Sequence, residues 1–391
     1  MNRCGISLLE VLFSIGVIAV GLLGVLAVIP LGLHQVGKGI VAERSARAGL
    51  NAVEKFDVMG MRRPELWLYS PGGRVQVPTA IGTSPHVPVG YAFAIDPRFV
   101  AANGSTVVTQ PPYYDARFFP YFSPIDRTVG GQNPLLITLP HPQNTSFPRM
   151  IRLSLRSAPV IGTRMGTLLA DEVFVAQDEL VFDLPDEKNL PPVQNFNGNV
   201  KRLYEGNFSW MATLVPRVDV GGVFRNEYLL SIVVFHKRDR SMAMFVDADG
   251  SGGFSAGDPP SYFERLVDVA TFHATGYAGG DVALQSTALE DLELKEGDWI
   301  MLAGSGGAGG IEAPEFKWYR VVATEREPTF ISASSRWQRD ATLQGSDWQR
   351  PEWHLPSTAA LFRPTQATLV TGVVAVYEKT VRLETSTLWT P

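Results

Sequence analysis

Residues 5–33 read GISLLEVLFSIGVIAVGLLGVLAVIPLGL, and Glu10 is the only charged residue in this run. An ionised carboxylate in hydrocarbon costs about 2–3 kcal/mol even on lenient insertion scales. A run of this apolarity therefore needs a partner for the charge of Glu10. If the chain is cut after Gly5, the new amino group of Ile6 lies about one helical turn from Glu10, or near the Glu10 of a neighbouring subunit. Either arrangement neutralises the carboxylate.

Other N-terminal signals match this run less well. A secretory signal has an apolar core of about 7–15 residues followed by a small-residue cleavage site, whereas this run continues to residues 30–34, which read PLGLH. A lipoprotein signal places its cysteine after the apolar stretch, but Cys4 precedes it. A plain transmembrane anchor needs about 20 apolar residues and stays open as an alternative.

These residues resemble the type IV pilin and pseudopilin superfamily. Its class III signal is a glycine followed by an apolar residue, with glutamate five places into the mature chain, and Gly5, Ile6 and Glu10 fill those places. The segments 5–12 and 20–24, GISLLEVL and VGLLG, are most similar to PilV-type minor pilins.

The resemblance covers about residues 1–60, and what it implies is specific. Residues 1–5 would be a leader removed by a prepilin peptidase, Ile6 would be N-methylated, and Glu10 would direct assembly with other pilins or pseudopilins. The protein would sit in the bacterial inner membrane as a single-pass protein, with a cytoplasmic N-terminus and an extracytoplasmic head, before it enters a pilus or pseudopilus.

The sequence predicts one helix over residues 6–60. From 34 to 59 the apolar residues recur mainly three, four or seven apart, which is typical of an amphipathic helix. Gly60 and Pro64 then supply a stop. One departure from the family is Pro30, which falls later than the usual helix-loosening proline.

Composition describes the rest of the 391-residue chain. The 37 glycines and 28 prolines, with many short β-branched runs, indicate sheet and loops. We therefore expect an α+β fold: a long N-terminal transmembrane or spine helix, a pilin-like β-rich head over 61–261, and a second barrel-like or sandwich-like β part over 262–391.

Net charge of −5 and a pI near 5.8 give no electrostatic footprint for nucleic acid. Cys4 is the sole cysteine and would leave with the leader.

Several segments predict strands. The clearest hairpin joins residues 208–215 to residues 227–235. The other predicted strands are 87–95, 135–139, 150–155, a tight pair of 172–175 with 179–183, and 266–273, 298–303, 316–324 and 372–383.

One motif indicates a metal. Residues 247–258 read DADGSGGFSAGD, which matches the twelve-residue EF-hand loop with glycine at position six. The pattern predicts a structural Ca²⁺ site. Two departures are Asp258 at position twelve, whose arm is shorter than that of glutamate, and flanks that do not predict helices. The candidate ligands are Asp247, Asp249, Ser251, Gly253, Ser255 and Asp258.

Catalytic patterns are weak. The six histidines are scattered and form no metal-ligand spacing, and the chain has no Gly-x-Ser-x-Gly elbow. The sequence nominates no catalytic residue, and we expect a protein that is not an enzyme.

The function predicted from the sequence is a structural minor subunit of a type IV pilus or type II secretion pseudopilus, because a head this large is hard to repeat along a shaft. Two alternatives stay open. One is an adhesin or binding head on a pilin stem, for which the related segments 336–340, RWQRD, and 347–351, DWQRP, are candidates. The other is a membrane-tethered extracytoplasmic enzyme, which would need titratable groups that converge in the fold.

Overall fold

We describe the protein from a computed structural model. The residues that the structure describes are 8–69, 91–104, 106–108, 113–123, 149–156, 164–176, 180–181, 203–204, 206–218, 224–239, 241–251, 254–255, 258–274, 279–308, 311–346, 348 and 366–384.

The expected α+β fold built on a transmembrane spine is wrong, because the protein is mainly β. Strands account for 44% and helices for 29% of the structure. The N-terminal pattern dominated the sequence argument, yet helix α1, Leu8–Val58, holds 51 of the 391 residues. The other α-helices in the described part of the chain are short: α2 is Pro97–Asn103 and α3 is Thr167–Phe174.

The predicted single-pass placement in the inner membrane is also wrong. A bilayer span needs about 20 apolar residues in one helix, and within the described ranges none of the helices is both long and apolar enough to meet that requirement. By contacts the chain divides into two units, Met1–Arg47 and Ala48–Pro391.

The first nine strands are short: β1 Trp67–Tyr69, β2 Phe93–Ile95, β3 Val107–Val108, β4 Tyr113–Asp115, β5 Phe118–Phe119, β6 Phe122–Ser123, β7 Met150–Leu155, β8 Leu180–Val181 and β9 Leu203–Tyr204. Most of the later strands are longer: β10 Phe208–Val218, β11 Phe224–His236, β12 Glu264–Ala274, β13 Gly279–Ser286, β14 Trp299–Ala308, β15 Ile311–Thr324, β16 Thr329–Ile331, β17 Arg336–Gly345, β18 Gln366–Val370 and β19 Val373–Arg382.

Two large sheets contain most of these strands. The first has the order β1-β7-β2-β10-β11-β19, with β5 also paired to β7. The second has the order β13-β17-β15-β14-β18-β12-β6-β4-β3, and an additional β12–β13 pairing closes six of its strands into a barrel. Closure leaves those six strands without a free edge, which protects them from pairing with other chains.

Chain order and sheet order differ around the boundary predicted at residue 261. The last strand, β19, pairs with β11 in the first sheet, while β3, β4 and β6 extend the barrel sheet. Strands from either side of residue 261 therefore share both sheets.

Several predicted elements are confirmed and one is wrong. The hairpin of residues 208–215 and 227–235 is β10 with β11, from Phe208 opposite His236 to Val218 opposite Phe224. Residues 172–175 were predicted as a strand, but 172–174 belong to α3. Ala170, Val173 and Phe174 are all buried, and this spacing gives a helix one apolar face. The strand predicted at 135–139 lies outside the described residues.

Two apolar cores stabilise the β unit. One lies between the first sheet and the barrel, where Met211 and Phe235 belong to the same cluster as Met301 and Trp318. The other fills the barrel and includes Val267, Leu284, Ile300, Tyr319 and Leu369. The barrel is thus a packed core, and its outer wall forms an interface with the first sheet.

The C-terminal turns of α1 lie against the first sheet. Ala52 and Phe56 are buried, and a Cβ built on Gly49 would approach the Tyr377 ring on β19. Lys379 of β19 forms an ion pair with Asp57 at 3.5 Å. Gly60, with φ of 66°, follows the helix and permits the left-handed turn that ends it.

Candidate functional site

The predicted processing and assembly residues fall at the beginning of the chain. Glu10 lies in the first turns of α1, whereas Gly5 and Ile6 lie outside the described residues. The predicted pairing of Glu10 with the Ile6 amine therefore lies outside the described residues.

Helix α1 presents many large apolar side chains to its surroundings. Leu8 is 81% exposed, Phe13 is 74% exposed and Leu33 is 68% exposed. Exposed apolar surface of this extent marks a site of interaction. The exposed large apolar residues between Leu8 and Ile40 are Leu8, Leu9, Val11, Leu12, Phe13, Ile15, Val17, Ile18, Val20, Leu22, Leu23, Leu26, Ile29, Leu33, Val36 and Ile40.

Glycines interrupt this surface. A Cβ built on Gly16, Gly21 or Gly24 would meet no atom within 4 Å, so nothing in the described structure requires glycine there. Each costs a free helix up to about 1 kcal/mol relative to alanine. Close approach of another helix is a common compensation for glycine in a helix.

The candidate metal site is a cluster of three carboxylates in the segment between β11 and β12. One oxygen from each of Asp247, Asp249 and Asp258 lies within 4.8 Å of the others. Asp258 is buried, whereas Asp247 and Asp249 are exposed. Ca²⁺ takes six to eight oxygen ligands at about 2.3–2.6 Å, so these carboxylates could supply only part of a shell.

Backbone amides of the same loop orient the carboxylates. Asp258 accepts hydrogen bonds from Ala248 N at 2.9 Å and Ser255 N at 2.8 Å. Ser251 N donates to Asp247 at 3.1 Å and to Asp249 at 2.9 Å. Hydrogen bonds from the Ser251 side chain and backbone lower the pKa of Asp249 to about 2, so this group is ionised at neutral pH.

An aromatic cluster packs against the loop of residues 247–258. Phe254 packs on Tyr114 with ring centroids 5.5 Å apart and on Phe245 at 5.4 Å. A β-bridge joins Phe245 to Pro260. The flanks are therefore an extended pair, not the two helices of an EF-hand, and Gly253 of the predicted ligand set lies outside the described residues.

Sequence reasoning missed a buried ionic network between the two sheets. Asp96, which follows β2, pairs with Arg152 of β7 at 2.6 Å and with Arg238, which follows β11, at 2.6 Å. Glu264 of β12 pairs with Arg152 and with Arg238 at 3.3 Å. The four side chains are 0–1% exposed. Two acids and two arginines neutralise one another, as burial of charge demands. The sequence signal that could have indicated this network was Arg152, a charged residue inside the largely apolar β7 strand.

The Trp/Arg segment proposed for binding packs onto its own barrel. Trp348 is 4% exposed and belongs to the barrel core. Arg339 donates to the carbonyls of Leu292 and Glu325 at 2.9 Å each, and Arg336 pairs with Asp268 at 2.5 Å. Among the described residues of this segment, Arg336, Arg339 and Trp348 are therefore engaged within the barrel.

Comparisons with known proteins give no relative. No family model, curated protein or solved structure matches this chain.

Proposed function

We propose that this protein is a structural filament subunit, a minor subunit of a type IV pilus or type II secretion pseudopilus. It would be cleaved after Gly5 and assembled through α1. The observation that carries the proposal is the apolar surface of α1 from Leu8 to Ile40, which the described part of the chain leaves exposed. Packing against the equivalent helices of other subunits would remove that surface from water.

Glu10 gives the assembly its specificity in this proposal. Inside a bundle of apolar helices its carboxylate is costly unless a cation accompanies it. The amino group of Ile6, created by cleavage after Gly5, supplies that cation. Processing and assembly are therefore coupled, since an uncleaved chain has no amine at that place.

The proposal is tested by expressing the full chain in cells with and without an active prepilin peptidase and determining its intact mass and N-terminal sequence. We expect a chain that starts at N-methylated Ile6 only when the peptidase is active. An unprocessed Met1 chain in both cells would overturn the proposal.

Assembly is tested separately with Glu10→Gln. We expect this variant to be cleaved but to be depleted from filaments that contain the other pilins, because the amine then lacks its carboxylate. Glu43→Gln is the matched control: Glu43 lies on the same helix in an exposed pair with Arg47, and its loss should leave incorporation unchanged. Equal incorporation of both variants would remove the assigned role of Glu10.

We further infer that residues 247–258 hold a structural Ca²⁺. The support is the convergence of Asp247, Asp249 and Asp258, with Ser251 and Ser255 as further oxygen donors in the motif. Such an ion would stabilise the connection between β11 and β12. Nothing in the flanks suggests a helix pair that would open as a switch.

A further inference from the structure

A cleft of about 240 Å³ lies between the end of α1 and the beginning of β10. Ala48, Ala52 and Lys55 line it from the helix, and Phe208 and Trp210 line it from the strand. The alanines are one turn apart and carry only methyl groups, which leaves room beside the aromatic wall. Ligand pockets usually measure roughly 300–1,000 Å³, so this cleft suits a small ligand.

Lys55 brings a cation to this cleft, with the charge of Glu172 nearby but no ion pair to it. Its Nζ donates to the carbonyl of Val173 at 3.1 Å, and the indole Nε1 of Trp210 donates to the same oxygen at 3.2 Å. Among the described residues Lys55 takes part in no ion pair. The carbonyl is thus shared between two donors, and the ammonium retains further N–H groups.

The direction of the pKa shift of Lys55 agrees with its position in the cleft. Burial lowers the pKa of Lys55, and the charge of Glu172 opposes that effect without cancelling it. Burial disfavours a charged group unless an opposite charge compensates it. An anion in the cleft would provide that compensation.

We propose that the cleft binds a small amphipathic anion, with a carboxylate on the Lys55 ammonium and an aromatic or short aliphatic body against Phe208 and Trp210. Charge-assisted hydrogen bonds are among the stronger polar contacts. Phe208 and Trp210 are 2% and 3% exposed, so the body would contact only the part of each residue that faces the cleft. The Lys55 ammonium gives the site its selectivity for anions, and the cleft volume limits the size of the body.

The test titrates phenylacetate into the full chain labelled with 5-fluorotryptophan, with the ¹⁹F resonance of Trp210 assigned by its loss in Trp210→Phe. We expect saturable, millimolar binding that shifts this resonance, given the affinity typical of so few ligand atoms. Phenylacetamide has the same shape without the charge and should bind about tenfold more weakly. No shift of Trp210 at tens of millimolar phenylacetate, or equal binding of acid and amide, would overturn the proposal.

Variants locate the contact. Lys55→Gln should weaken phenylacetate binding about tenfold, while Lys55→Arg should retain it. Lys295→Gln is the charge-matched control, since Lys295 is 77% exposed on the barrel. Ala48→Leu should block the cleft while leaving Lys55 in place, so the two variants distinguish loss of charge from loss of space. Unchanged binding in Lys55→Gln or in Ala48→Leu, with folding verified by unfolding curves, would contradict the assigned site.

Discussion

Gly49 of α1 lies directly beneath the ring of Tyr377 on β19. A Cβ built on Gly49 would overlap the Tyr377 ring, at a separation that Cβ atoms in proteins do not adopt. Glycine at this position therefore permits the close packing of helix and sheet.

Replacing Gly49 by alanine tests that contact. Gly→Ala in a helix normally gains up to about 1 kcal/mol, whereas overpacking costs about 1–3 kcal/mol, so we expect Gly49→Ala to lower the free energy of unfolding. Gly16→Ala, on the same helix with open space at its Cβ, should cause no loss. Urea unfolding of both variants makes the comparison, and an equally stable Gly49→Ala would show that the Tyr377 ring moves away freely.

A nearly isosteric substitution in the buried ionic network should cause a large loss in the free energy of unfolding. Glu264→Gln removes one negative charge and leaves Arg152 and Arg238 with Asp96 alone, so we expect destabilisation of about 3–5 kcal/mol. Arg63→Gln is the control, because its pair with Glu384 is 55% and 58% exposed and should contribute about 0–1 kcal/mol. Chemical unfolding measures both changes, and similar small losses would contradict the importance of the network.

Acid should weaken the network through Asp96. Burial raises the pKa of this carboxyl, but the charges of Arg238 and Arg152 outweigh burial and hold the pKa below its ordinary value of 3.8. A folded-state pKa below the unfolded one stabilises the protein above pH 3.8, and that contribution is lost as pH falls through the lower folded-state value.

The measurement compares the unfolding free energies of wild type and Asp96→Asn as pH is lowered. We expect the difference between them to be largest near neutral pH and to shrink below about pH 4. Burial raises the pKa of Asp291 and Asp298, which act with the opposite sign, but they are present in both proteins and cancel in the difference. A pH-independent difference would exclude Asp96 as the source.

Calcium removal should lower the melting temperature. An ion at one hundred times its Kd stabilises the folded state by about 2.7 kcal/mol, and a chelator should abolish this in wild type. Asp249→Asn should respond less to chelator, whereas Asp340→Asn, on β17 of the barrel, should respond as wild type does. Identical melting with and without chelator would count against the Asp247–Asp258 site, and equal stabilisation by Mg²⁺ would count against selectivity for Ca²⁺.

The sequence predicted the elements whose signals are local. Runs of apolar, aromatic and β-branched residues identified β10 and β11, and the apolar spacing with Gly60 identified the extent of α1 to within two residues at its C-terminal end. The three carboxylates of the metal loop are close in sequence, so their convergence could be predicted from the motif alone.

Features that depend on distant segments could not be predicted in this way. Arg152 and Glu264 meet across 112 residues, and periodicity does not reveal which strands will be neighbours. The fold class was wrong because the N-terminal helix was given more weight than its share of the chain, although sheet was expected over residues 61–391. The helix α3 was missed because its short apolar run also matches a strand, an ambiguity that burial alone resolves.

The position of β19 has a consequence for synthesis. This strand begins at Val373 and completes the first sheet beside β11, although the whole barrel precedes it in the chain. Only residues 371–372 separate it from β18, which closes the barrel between β14 and β12, so one short stretch of chain completes both the barrel and the free side of β11. We therefore expect a chain that stops short of residue 373 to expose β11 as an open edge prone to aggregation.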